Sequence, residues 1–288
     1  MLTREPLLGT RGQVHIEGPS DDEADRVERK VLDEAARLEL VFTAFDRSSE
    51  LFELRTTGST TSDDLLEVVA IAERWRDLSG RAFDPYCQPI FDAWEQAAAA
   101  DRVPEQGKLD ELVAMLDTPQ VATINLNAIA KGWIVERSLH AGRQDSAGFD
   151  SGWLSLGGDI THTGDGAVVV GIEDPARPYD NAGPRARIEL SNESLATSGG
   201  GRRWWTIAGK RWSHVLDPRT GWPVDQFASV TVVAARAADA DALATALLVL
   251  DEETGVALLE DHGAVGFAVR QDGSVRSTSA RFESVTPG

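Results

Sequence analysis

Residues 202–217 read RRWWTIAGKRWSHVLD, two aromatic-bearing runs joined by the short turn AGK. A Gly-containing turn between two such runs predicts a β-hairpin, because the turn needs backbone freedom and its flanks carry strand-forming side chains. Neighbouring segments continue the theme. WLSLGGDI (153–160) and AVVVGIED (167–174) read as paired strands, followed by RARIEL (185–190) and SVTVVAA (229–235). AVGFAVRQDGSVRST (264–278) reads as a closing hairpin turned by Asp272-Gly273. Strands in hairpin order, without strict βαβ alternation, predict an α+β fold and argue against a doubly wound one.

Helices lie to either side. Ser20 and Glu23 make a capping box, and Ala24, Val27, Val31, Ala35, Leu38 and Phe42 follow at helical spacing. SDDLLEVVAIAERWRDLSG (62–80) has an acidic first turn and Gly80 as its stop. KLDELVAML (108–116) is a shorter helix. QVATINL (120–126) alternates as a strand does and feeds the helix NAIAKGWIVERSLHAG (127–142). DADALATALLVL (239–250) and ETGVALLEDHG (253–263) are the last two helices, and the polar segment 174–187 reads as a loop.

The net charge of −19 argues against a nucleic-acid backbone as partner, since phosphate neutralisation needs clustered Lys and Arg. The single cysteine, Cys87, leaves no intrachain disulfide, and without a neighbouring His it reads as a buried structural thiol. The N-terminus lacks the apolar core of a signal peptide, and no stretch of about 18 apolar residues follows. The sequence as written predicts a cytoplasmic chain with no membrane segment, exported only if a leader has been removed.

Three places carry candidate chemistry. Asp241 and Thr245 lie four residues apart, so one helix face presents a carboxylate and a hydroxyl, hard oxygen donors suited to Mg2+. The same pair also fits an acidic residue complementing the helix dipole. Gly132 sits where a helix prefers Ala, which costs about 1 kcal/mol and points to close approach by another backbone or a ligand. Lys131 beside it reads as a surface residue or a phosphate contact, with the surface favoured. His214 is the residue best suited to proton transfer near neutral pH, although a strand-end His also serves as a hydrogen-bonded structural group. SLGGDI and ATSGGG fit neither common nucleotide-binding glycine pattern.

Taken in chain order, these pieces resemble the ApbE family of flavin transferases, FAD:protein FMN transferases. LLGTRGQVHIEG (7–18), FTAFDRSSELFEL (42–54), SGRAFDP (79–85), INLNAIAKGWIVER (124–137), LSLGGDI, VGIEDP, LATSGG, WSHVLDPRTGWPV (212–224) and ADALATALLVL follow the family's order. The Ile-Ala-Lys-Gly piece and the last two are the specific ones. The resemblance implies one ApbE-like, T-fold-like domain over residues 1–288, with mixed and antiparallel sheets and packed helices.

It also implies roles. Asp241 and Thr245 fall on the family's Mg2+ ligands, and Ala130 where a main-chain carbonyl completes that site. Leu8, Phe45, Ala82, Phe83, Asp84, Asn127, Trp133 and Val215 fall at positions similar to FAD-contacting ones. His214, with Asp241, would handle the acid–base work beside the phosphates, on a turn fixed by Asp217 and Arg219. Asn125 stands where the family usually has Asp, and Asn127-Ala128 replace a Gly pair. The implied activity is Mg2+-dependent transfer of FMN from FAD to a Thr or Ser hydroxyl of an acceptor protein bearing a Ser/Thr-Gly-Ala-Thr-type motif. Hydrolysis of FAD to FMN and AMP at the same site, or FAD binding without turnover, are the alternatives.

Overall fold

The computed structural model describes residues 1–18, 20–44, 46–146, 148–177, 183–199 and 204–285. Its strands are β1 (Leu2–Leu7), β2 (Thr10–Glu17), β3 (Ser151–Leu156), β4 (Asp159–Gly164), β5 (Val168–Ile172), β6 (Ala186–Leu190), β7 (Ser194–Gly199), β8 (Trp204–Ile207), β9 (Lys210–Ser213), β10 (Phe227–Ala234), β11 (Val265–Arg270), β12 (Val275–Ser277) and β13 (Glu283–Ser284). Its helices are α1 (Asp21–Phe42), α2 (Glu50–Thr57), α3 (Asp63–Leu78), α4 (Gln88–Ala99), α5 (Gln106–Met115), α6 (Ala130–Gln144), α7 (Ala237–Val249) and α8 (Glu252–Asp261).

Eight strands form one antiparallel sheet in the order β1-β2-β3-β4-β7-β10-β11-β12. FASVTVVA of β10 shows why it lies inside: it is nearly continuously apolar, as a strand covered on both faces must be. Val230 and Val232 join the helix-side core, built with α1, α6 and α7, while Val233 joins a second core on the other face. That second core is closed by a small sheet of β13, β6 and β5. The α+β expectation therefore holds. No helix among the described residues is long and apolar enough to cross a membrane.

Local signals were accurate where the chain turns. Ser20 Oγ accepts the Glu23 N–H at 3.3 Å to start α1, and Gly80 follows α3 with φ +56°. Asp272-Gly273 turns β11 into β12. Pairing was less legible. WLSLGGDI is not one strand but the core of a hairpin, β3 and β4 joined by Gly157-Gly158 at φ +59° and +99°, while 168–172 pairs with β6 in the other sheet. QVATINL is not a strand. A 3-10 turn takes Val121–Thr123, the Ile124 and Leu126 side chains enter the core, and the Asn125 N–H bonds Pro85 O at 2.6 Å. The strand read through Asp217 ends at Ser213.

Helices α6 and α7 meet at unusually short range. A Cβ on Gly132 would lie against the Ala237 carbonyl oxygen, 2.8 Å from its carbon and 2.9 Å from Cβ of Asp241. Ala-rich α7 is buried all round, as an evenly apolar helix must be. Its cap residue Arg236 supplies no side-chain bond, so neighbours serve its first turn. Glu136 Oε2 of α6 accepts the Ala237 N–H at 2.8 Å, and Asp239 Oδ1 accepts from Trp75 Nε1 and Arg74 Nη2, each at 2.6 Å.

Gly132→Ala separates two opposed effects. Helix propensity alone would stabilise the variant by about 1 kcal/mol, whereas overpacking against rigid backbone costs about 1–3 kcal/mol. The backbone contact dominates, so urea unfolding should show a net loss of stability.

Candidate active site

The α6–α7 junction gathers the residues with the strongest chemical claim. Ala130 opens α6, its N–H bonded to Leu126 O at 2.8 Å. Two residues on, the Gly132 N–H donates to Asp241 Oδ2 at 3.1 Å. This is the one hydrogen bond the described residues give the Asp241 carboxylate, which is buried. One turn further along α7, Thr245 Oγ1 lies 3.1 Å from Ser198 Oγ at the end of β7. A carboxylate, two hydroxyls and the first turn of a helix thus converge from β7, α6 and α7.

The electrostatics follow from burial. Desolvation, then the negative charge of nearby Asp159, pushes Asp241 up to about 7, against the pull of Lys131 and the Gly132 N–H. Burial also raises Asp159, opposed by Lys131. For Lys131, burial acts downward, but Asp159 and then Asp241 outweigh it and the ammonium is stabilised. Lys131 is therefore no ordinary surface lysine: its Nζ is ion-paired with the buried Asp159. Sequence reading undervalued Lys131, Asp159 and Ser198, because ATSGGG and SLGGDI show only small strand-end residues until the sheet brings them to the helices.

The remaining positions divide by structure. Leu8 turns β1 into β2 at φ +52°, a left-handed conformation costing a branched side chain of order 1–3 kcal/mol. Ala82 and Phe83 are buried. The Asp84 carboxylate is spent within the protein, accepting from Arg76 Nε at 2.9 Å, Arg81 Nε at 3.4 Å and the Tyr86 N–H at 2.9 Å. Asn127 is exposed, its N–H given to Asn125 Oδ1 at 2.9 Å. Asn125 also donates from Nδ2 to Gln88 Oε1. Trp133 is buried edge-on against Phe42. Phe45 lies outside the described residues. Cys87 is half-buried rather than fully buried, and desolvation pushes its thiol up to about 12.

His214 and Val215 follow β9 on a turn built as the sequence suggested. Asp217 Oδ1 accepts the Arg219 N–H and Nε, and Oδ2 accepts Nη2, all at 2.9 Å. The Asp217 carbonyl takes the Gly221 N–H at 2.8 Å, and Val215 O takes the Val224 N–H at 2.9 Å. Trp94 of α4 anchors the turn, donating Nε1 to Gly221 O at 2.8 Å, while Trp222 Nε1 bonds Gln106 of α5 at 2.8 Å. Most of the tryptophans are thus committed to packing. The described contacts link 82–86 to 125–127, then to α6, and join the His214 turn to α4 and α5.

The match to known proteins covers this whole arrangement. A model described as the ApbE family matches residues 8–268. The FAD:protein FMN transferase of Vibrio cholerae is 31% identical, aligned over 88% of this chain and 83% of its own length. That of Haemophilus influenzae is 30% identical over 85% and 79%. The crystal structure of the ApbE protein of Thermotoga maritima shares the fold with a TM-score of 0.80 at 24% identity, covering 96% of each chain. Pseudomonas stutzeri flavinyl transferase ApbE gives 0.75 at 22%, over 97% of this chain and 94% of its own. The chain is a member of the ApbE family.

Proposed function

We propose that this chain is a Mg2+-dependent FAD:protein FMN transferase, moving FMN from FAD to a Thr or Ser hydroxyl of an acceptor protein with release of AMP. The observation that carries this reading is the buried Asp241 carboxylate, one turn from Thr245, in a chain whose relatives bear that name. The donor set fits a small hard cation, since the carboxylate, the Thr245 hydroxyl and the Ala130 carbonyl all offer oxygen, and among the described residues the carboxylate receives a single N–H. Among the described residues no cluster of three His, Cys, Asp or Glu competes for a softer metal.

Asp241, Thr245 and the Ala130 carbonyl would hold Mg2+, with Ser198 orienting the Thr245 hydroxyl. When bound, Mg2+ neutralises diphosphate charge and the charge left on departing AMP. The backbone of Leu8 and of 82–84, with Asn127 and Val215, would line the dinucleotide. His214 takes the acceptor hydroxyl proton on an imidazole nitrogen while the hydroxyl oxygen attacks the FMN-side phosphorus. The bond from that phosphorus to the oxygen bridging to AMP breaks, and a phosphoester to the acceptor forms. The Asp217–Arg219 bonds and the Trp94 anchor keep the imidazole-bearing turn in one shape, so little reorganisation accompanies the step.

Mass spectrometry of a co-expressed acceptor carrying a Ser/Thr-Gly-Ala-Thr motif should show covalent FMN. Asp241→Ala should abolish the modification, and Ser198→Ala should reduce it about 10–100-fold through the misplaced hydroxyl. AMP release with an unmodified acceptor would identify a hydrolase, and FAD retained without AMP a binding protein.

The metal-free protein should also report Asp241 through its stability. Its folded-state pKa, about 7, lies above the unfolded 3.8, so its contribution is fully present below pH 4 and lost as pH rises through 7. Asp241→Asn should therefore melt increasingly above wild type between pH 4 and pH 8. Saturating Mg2+ should reverse the order at pH 8, because only wild type gains from binding.

A further inference from the structure

Lys131 and Asp159 stand beside the proposed cation site and do no work in the account above. Asp159 opens β4, is 1% exposed, and pairs through Oδ2 with Lys131 Nζ. Lys131 lies between Ala130 and Gly132, so its side chain leaves α6 from the turn that delivers the Gly132 N–H to Asp241. Its charge acts on both carboxylates. An ammonium is a compact point charge on a flexible stem, free to settle on either acid within reach. Settled on Asp241, it would take the lone pairs a divalent cation needs.

We propose that Asp159 is a positioning residue that holds Lys131 Nζ off Asp241, keeping the Asp241 carboxylate open to a divalent cation. The inference rests on the metal reading above. Two carboxylates and one ammonium leave the junction short of one positive charge. The ion pair with Asp159 directs that deficit to Asp241. Without Asp159, Lys131 and Asp241 would neutralise each other, and the attraction for the metal would vanish where its ligands converge. Asp159 thus acts through Lys131, without touching metal or substrate.

The test compares Mg2+ binding, by calorimetric titration without FAD, in wild type, D159N and K131M/D159N. D159N should bind about tenfold more weakly or worse, and the double variant should return to within about threefold of wild type. Equal affinity in wild type and D159N overturns the proposal. So does a double variant as weak as D159N, the outcome expected if Asp159 only supports the fold. If D159N alone fails to fold, the double variant still decides, since it loses both charges together. A second readout needs no metal. A double-mutant cycle between K131M and D241N, measured by urea unfolding, should show a larger coupling in the D159N background than in wild type, and an unchanged coupling refutes the idea. Absent Mg2+ binding by wild type together with a raised coupling would sink the metal assignment while leaving the Lys131 placement standing.

Discussion

A buried carboxylate with too few partners governs this molecule. Ionised carboxylates in protein interiors are costly unless paired, and among the described residues Asp241 receives only the Gly132 N–H and the charge of Lys131. Everything around it serves that exposure to chemistry. Gly132 lets α6 approach close enough to present its N–H, Glu136 completes the first turn of α7, and Trp75 with Arg74 fixes Asp239 beside it. The central strands β7 and β10 then carry the helix at a fixed height above the sheet.

The sequence revealed those features whose physics is local. Ser20 and Gly80 bound helices because caps and stops act over a few residues. The spacing of Asp241 and Thr245 placed both on one helix face, and the cost of Gly132 in a helix foretold its tight packing. Order along the chain supplied the family. What stayed hidden depends on long-range pairing. Nothing in SLGGDI tells that its Asp will be buried against Lys131, and nothing in ATSGGG tells that Ser198 will meet Thr245. QVATINL misled for the same reason: its alternation came from two core side chains, Ile124 and Leu126, on a segment with no ladder partner. Helices α2 and α4 escaped notice because one is short and the other carries a Pro in its first turn after an irregular turn.

The amide at position 125, where the sequence resemblance implies a carboxylate, has a physical reading. Asn125 binds in both directions, offering its oxygen to the Asn127 N–H and its amide hydrogens to Gln88. Together with the Asn125 N–H on Pro85 O, this ties the loop before α6 to the turn containing Asp84. A carboxylate could accept there but not donate, so the amide makes both bonds that hold the loop.

The indole cluster has an optical corollary. Trp94 lies 5.8 Å from Trp205, 5.2 Å from Trp212 and 5.5 Å from Trp222, with Trp212 and Trp222 5.9 Å apart. At such separations the ring transitions couple, so the dichroism of each indole depends on where its neighbours sit. Since one ring belongs to a helix, two to the hairpin and one to the loop beyond His214, near-ultraviolet dichroism becomes a built-in gauge of whether that loop is seated.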